Sequence, residues 1–438
     1  MSDDPVGPPH VAILSAEFPP VGGGGVIRVA KLVKYLPGLG WRVTVVSSDE
    51  RLANAYDESL LAEIPGEVTV VRAGQALAAM GGSSVARGAR ERLGRSSAVI
   101  RVLRRVRAAS RSLWAIPDHR LPWALSVSRW GGGLLPEPDI VVSTGPPHSV
   151  HIGASLLAGR LGVPHVIDLR DEWTLRPLTK SRLPWRNFAE RRLERWCLRR
   201  ADAVVVVSNE SRDRYAAAYP MLGARLAVIP NGFDPDDIDA VGSAHEPIGT
   251  TLTLGYAGSF QAGTEIGPMF SAIGDVVRNG LDGHAVRFEM VGPFLPHQLD
   301  AAHELIPSEG LDVQPFMPHR EVLQVMAGWD GLCVIATDGG ASLAGKLYEC
   351  LALRRPIVVI APEGPATRLV RELDVGSIGD PRDAHSIRAA IAIALRMSAT
   401  FEGASDSELA PYDRRRQAER WSQLLHELLE RAPTGRAG

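Results

Sequence analysis

Residues 10–35 read HVAILSAEFPPVGGGGVIRVAKLVKY. His10–Ala16 is a continuous apolar run closed by a Pro-Pro turn, and Val26–Tyr35 carries apolar residues at helical spacing. A strand without polar alternation is buried on both faces, which happens when helices cover both sides of a parallel sheet. Between strand and helix lie four consecutive glycines, Gly22 to Gly25. They present bare amides at a helix N-terminus, where the macrodipole favours an anion. A dinucleotide fingerprint beginning at Gly23 would need its third glycine where Arg28 stands, so the nicotinamide reading loses its key residue.

Working outward, the same strand-turn-helix unit recurs. Trp41–Ser47, Val68–Val71, Asp139–Ser143, His165–Asp168 and Ala203–Ser208 read as strands, with helices over His148–Leu161 and Trp185–Arg200. Asn231–Thr250 is rich in Pro, Gly and Asp and reads as a linker. The pattern then restarts with Leu252–Ala257, Val286–Val291, Leu311–Val313, Gly331–Ile335 and Ile357–Ile360. The fold class is α/β, with two doubly wound, Rossmann-like domains facing across a cleft. The expected boundaries are 1–232, a hinge at 233–250, 251–411, and a C-terminal helix in 412–438. That helix carries Trp421, Leu424, Leu425, Leu428 and Leu429 on one face, so it must dock, and the first domain is the expected partner.

Composition sets the outer limits. At 438 residues the chain can bury large cores, and 45% apolar with 22% charged residues excludes a disordered or fibrous protein. A net charge of −2 gives no global attraction for nucleic acid. Cys197, Cys333 and Cys350 are widely spaced, which fits a reducing compartment and no zinc site. The N-terminus has no basic region before its apolar run, and no run reaches the ~20 residues of a membrane span. The expectation is a cytoplasmic protein, with peripheral membrane contact left open.

In such folds ligands bind at the carboxyl ends of strands. Three further stretches fit that place. STGPPHSVHIGASLLAGRLGVPHVIDLRDEW (143–173) carries His148 and His151 in a first helical turn and ends a strand in Asp168, Arg170 and Asp171, which form either a rim ion pair or a polar site. GYAGSF (255–260) places small residues at a strand-to-helix turn. GGASLAGKLYECLALRRPIVVI (339–360) runs a small-residue loop into a helix bearing Lys346 and, three residues on, Glu349. That pair is either a surface i,i+3 contact or a phosphate cation beside a ribose acceptor.

These blocks, with ERWCLRRADAVVVVS, VIPNGFD and MVGP, occur in an order that resembles the GT-B glycosyltransferases of family 4, the retaining, nucleotide-sugar-dependent class. The resemblance covers nearly the whole chain. It implies that Gly23, Gly24, Ser259 and Lys346 border the donor diphosphate, that Glu349 holds the ribose, and that Phe316 and Met317 border the base. It puts Arg170 and Asp171 near the donor sugar. No committed nucleophile is implied: the leaving phosphate takes the acceptor proton, with Asp171 or His151 assisting. Closure at Asn231–Phe233 would exclude water. No metal or other cofactor is implied, since DPDD (234–237) lies in the hinge; helix N-termini and Lys346 carry the positive potential. The sequence departs from the family where Ala341 replaces the first of two spaced glutamates, and where QAGTEIG lacks the usual basic pair.

The implied acceptor is either a lipid-linked glycan precursor or a soluble small molecule. Nine arginines and one glutamate between Ala86 and Ser112, interleaved with apolar residues, read as a membrane-facing stretch or as a solvated loop face. A second basic helix bears Trp185, Phe188, Arg191, Arg192, Trp196, Arg199 and Arg200. Rival readings are a nucleotide-sugar epimerase of the same architecture, a non-catalytic nucleotide-sugar-binding protein and, last, an oxidoreductase.

Overall fold

In the computed structural model the apolar runs become parallel strands, and each alternates its side chains between two helical layers. The structure describes residues 7–48, 56–73, 116–130, 137–175, 183–242, 249–260, 264–336 and 345–431. The 86–112 stretch and Ala341 lie outside the described residues. Strands β1 (His10–Ser15), β2 (Arg42–Ser47), β3 (Thr69–Arg72), β4 (Ile140–Gly145), β5 (His165–Leu169), β6 (Ala203–Val206) and β7 (Leu226–Val228) form the first sheet, in the order 3-2-1-4-5-6-7. Ile13 pairs with Val45 on one side and Val142 on the other. Strands β8 (Thr251–Ala257), β9 (Ala285–Val291), β10 (Leu311–Gln314), β11 (Gly331–Ile335), β12 (Ile357–Ile360) and β13 (Gly376–Gly379) form the second, in the order 10-9-8-11-12-13. All pairings within both sheets are parallel. In each sheet the strand order steps outward from the first strand in one direction and then, from the fourth strand on, in the other, which is the doubly wound order.

The chain divides into two compact units. The first holds residues 1–56, 61–229 and 419–438, and the second 57–60 and 230–418. In the first, Val11 and Ile13 share a core with Val29 and Val33 of the helix Gly24–Tyr35 and with Trp421, Leu425 and Leu428. Ala12 and Leu14 point the other way, to Ala154 and Leu157 of the helix Ser149–Leu161. The period-two alternation of a strand thus feeds two cores at once. In the second unit Gly255 is needed for packing, because a Cβ there would lie 1.9 Å from the Trp329 ring. The Trp329 indole in turn donates to Glu289 Oε2 at 2.7 Å.

The structure corrects the linker reading at one point. Pro235–Val241 is a helix, started by the Asp234 carboxylate accepting from the Asp236 amide at 3.1 Å, with Pro235 at its first turn. This is an ordinary helix-start signal, and it uses part of the DPDD run for capping. Strands β7 and β13 were also absent from the sequence reading: one is three residues long, and the other (GSIG) is half glycine. Among the described residues no helix is long and apolar enough to cross a membrane.

Candidate functional site

In each sheet the strand order reverses beside its first strand, so the crevice there collects the loops after β1 and β4, and after β8 and β11. In the first unit the glycine loop leaves β1 and enters the helix Gly24–Tyr35. Gly23 sits at φ 120°, a conformation that only glycine takes without strain, and nothing lies within 4 Å of a Cβ built on Gly23 or Gly24. The loop is therefore open on the side where side chains would stand. Arg28, on the first turns of that helix, makes a bidentate pair with Asp168 at 2.9 and 3.1 Å and donates to the Ile229 carbonyl at 3.0 Å. Thr144 also donates to Asp168, at 2.8 Å. The residue that blocks the dinucleotide fingerprint is thus the one that ties the glycine-loop helix to β5.

Arg170 lies just behind the loop, 8% exposed, with its Nη1 3.0 Å from where a Gly25 Cβ would be. Its Nη2 donates to the Pro146 carbonyl, while Nε and Nη1 have no hydrogen-bond partner among the described residues. Burial lowers its pKa, opposed by Asp168 and Asp171, so the guanidinium is a costly charge held in place with donors to spare. Asp171 is half-buried beside it.

His151 is brought to the same crevice but not to its surface. The ring is fully buried, its Nδ1 is 2.8 Å from Ser143 Oγ, and its Nε2 faces Gly145. Ser143 Oγ also meets His165 Nε2 at 2.9 Å. Burial drives both imidazoles neutral: His151 falls well below its ordinary pKa, further helped by His148, and His165 falls to about 3. A cleft of about 590 Å³ opens next to them, lined among others by Glu17, Asp118, His148, Trp173, Arg186 and Glu190. His148 stacks on Trp173 with 5.1 Å between centroids and 7° between planes. Sequence reasoning singled out His148 but missed Trp173 as its backing.

In the second unit Ser259 follows β8, is exposed, and accepts the Tyr256 hydroxyl on its carbonyl at 3.1 Å. Lys346 opens the helix Gly345–Ala352, and its ammonium lies 3.0 Å from Glu349 Oε2. This is not the plain surface pair that spacing alone allows, because Glu349 is buried and a third group holds it: His319 Nε2 sits 2.9 Å from Oε1. His319 Nδ1 is 3.6 Å from Asp237 Oδ2. Burial would raise the Glu349 pKa, but Lys346 and His319 together reverse it and hold the carboxylate well below its usual range. Phe316, 37% exposed, and half-buried Met317 occupy the turn that leads into His319. Neither His319 nor Asp237 had a sequence signal beyond its place in PFMPH and DPDD.

Residues 22–237 match the model of Glycosyltransferase Family 4. The first half of the chain is thus similar to the family 4 glycosyltransferases. The fold of the chain, two Rossmann-like domains, is the GT-B fold of solved glycosyltransferases. Anabaena Alr3699/HepE, determined in complex with UDP and glucose, aligns at TM-score 0.60 and 16% identity over 95% of this chain and 99% of that one. WaaG, a glycosyltransferase involved in lipopolysaccharide biosynthesis, aligns at TM-score 0.57 and 12% identity over 97% and 100%. A UDP-N-acetylglucosamine 2-epimerase homologue from Listeria monocytogenes shares the fold too, at TM-score 0.56 and 13% identity over 94% of both chains. No curated protein matches the sequence.

Proposed function

We propose that this chain is a family 4 glycosyltransferase that moves a sugar from a nucleotide diphosphate sugar to a hydroxyl acceptor, with retention at the anomeric carbon. The observation that carries the donor half is Glu349, kept ionised and oriented by His319 beside the one lysine that opens its helix. Lys346 keeps 30% of its side chain exposed and is the mobile partner. An arriving diphosphate draws Lys346 away, and Glu349, still held by His319, turns its released oxygen to the ribose diol. The Ser259 turn borders the phosphates, and Phe316 and Met317 border the base. Positive potential comes from Lys346 and the helix start, with no resident metal in this scheme. The UDP bound in the HepE structure supports a donor of this class.

In the first unit the Gly23 and Gly24 amides and the spare donors of Arg170 offer a second anion cradle for charge that develops during transfer. The C1–O bond to the diphosphate breaks, the C1–O bond to the acceptor forms, and the acceptor proton passes to the departing phosphate oxygen. Asp171 orients the acceptor hydroxyl. His151, sealed under the Gly145–Pro147 turn, is a positioning residue rather than a proton carrier. The 590 Å³ cleft, with its His148–Trp173 stack and its carboxylates, is a place for a hydroxyl-rich acceptor, free or lipid-linked. The buried free thiols fit work in the reducing cytoplasm.

The test is a thermal-shift series with nucleoside diphosphates and their sugars, followed by product analysis by NMR. Stabilisation by one nucleotide that is lost in Glu349→Ala, and a glycoside of unchanged anomeric configuration, are expected. An epimerised donor with no glycoside would move the protein to the epimerase reading. No stabilisation by any nucleotide would overturn the donor site.

A further inference from the structure

We infer that the outward face of the helix Pro184–Arg200 is a seat for an anionic lipid surface. The helix has two distinct sides. Inward, Glu194, Cys197 and Leu198 are buried, and Glu194 accepts the hydroxyls of Tyr215 and Tyr219 at 2.8 and 2.6 Å. Outward, Trp185, Phe188, Arg192, Arg195 and Arg199 fall within about 80° of arc at ~100° per residue. Phe188 is 64% and Trp185 51% exposed, among the most exposed large apolar side chains described. The Arg192 guanidinium lies 5.7 Å from the Phe188 ring centre. Arg191, Arg192, Arg195, Arg199 and Arg200 have no ion-pair partner among the described residues, whereas Glu190, on the cleft side of the helix, is taken by Arg186 at 2.8 Å.

Two exposed aromatic rings one turn apart, followed by unneutralised guanidiniums along the same stripe, match the layers of a bilayer interface. Rings bury at the headgroup–acyl boundary, and arginines meet the lipid phosphates. Nucleic acid fits less well, since the two exposed rings sit at one end of the stripe while Trp196, among the arginines, packs against the core, and the chain as a whole is at −2. The same helix turns Arg186 and Glu190 into the 590 Å³ cleft, so a membrane bound on its outer side would lie one helix thickness from that cleft. The inference stands apart from the sugar-transfer reading, because membrane binding is measured without nucleotide or turnover.

The test is co-sedimentation of the full chain with vesicles of phosphatidylcholine alone and of phosphatidylcholine with one-third phosphatidylglycerol. Binding is expected only to the anionic vesicles and should fall with added salt. Replacing Arg191, Arg192 and Arg199 with Gln together should weaken partitioning on the order of a hundredfold. Trp185→Ser with Phe188→Ser should also weaken it, and both variants should keep the parental thermal midpoint. In a second readout, vesicles should shift tryptophan fluorescence to the blue in the parent and not in Trp185→Phe. Absent binding, equal binding to neutral vesicles, or binding untouched by these substitutions would overturn the inference. So would equal affinity for a single-stranded oligonucleotide without lipid preference, which would assign the stripe to nucleic acid.

Discussion

Replacing Arg170 with methionine should stabilise the ligand-free protein, although it removes a charged residue from the centre of the first unit. Arg170 is buried, holds one backbone carbonyl, and leaves Nε and Nη1 unmatched. Each buried unmatched donor costs about 1–3 kcal/mol, and the lost bond to the Pro146 carbonyl offsets about 1.5–3 kcal/mol. Asp168 and Asp171 attract the guanidinium, but Asp168 is already satisfied by Arg28 and Thr144. Methionine fills a similar length without polar atoms. The balance is a gain of about 1–2 kcal/mol, which for a unit of this size raises its melting transition by ~2–4 °C per kcal/mol. Arg28→Met is the opposite case in the same cradle. It strands the buried Asp168 carboxylate and should cost ~3–5 kcal/mol. Scanning calorimetry of the parent and both variants reads the two signs directly. Pyrophosphate should stabilise the parent and lose that effect in Arg170→Met. A drop in the Arg170→Met transition comparable with that of Arg28→Met would refute the reasoning, because it would mean that the guanidinium nitrogens are satisfied without a ligand.

Three further outcomes follow from named contacts. His319→Gln should weaken nucleoside diphosphate binding by ~10-fold or more, the value of one charge-assisted hydrogen bond, and titration calorimetry would expose the error if affinity were unchanged. Glu349 has its folded pKa depressed below the unfolded value, so its contribution to stability is full above the unfolded pKa and is lost as pH falls through the folded one; Glu349→Gln should therefore flatten the acid limb of a stability–pH curve below about pH 4.5, and an unchanged limb would count against the assignment. Gly255→Ala should cost more than ~3 kcal/mol, since its Cβ must displace the Trp329 ring, and a denaturation midpoint within error of the parent would contradict the packing described.

The parallel strands were legible because burial on both faces writes itself into sequence as unbroken Val and Ile runs, as at Ala203–Val206 and Ile357–Ile360. The short helix at Pro235–Val241 is hidden in the sequence because Asp and Pro are turn residues that together also start a helix. Gly23, Arg170, Lys346 and Glu349 could be picked out by their place after strands. What the linear order could not show is which of them face one another. Nothing in the string says that His319 reaches Glu349 thirty residues away, that Arg28 consumes Asp168, or that the histidine of the SVH turn lies beneath the surface that its helix borders. Long-range pairings of this kind depend on strand order, which hydrophobic period does not encode.

The C-terminal helix Arg414–Arg431 has a consequence for how the protein is made. Trp421, Leu425 and Leu428 complete the core that Val11, Ile13 and Trp41 begin, and the Trp41 indole donates to Ser422 at 2.9 Å. The first unit therefore leaves the ribosome with a gap in its hydrophobic face, and that gap stays open until all of residues 230–418 has been synthesised. A chain truncated after Ile229, or a nascent chain stalled within the second sheet, exposes this apolar surface to chaperones and to other copies of itself. Residues 1–229 expressed alone should recover their solubility only when the 414–431 peptide is supplied in trans.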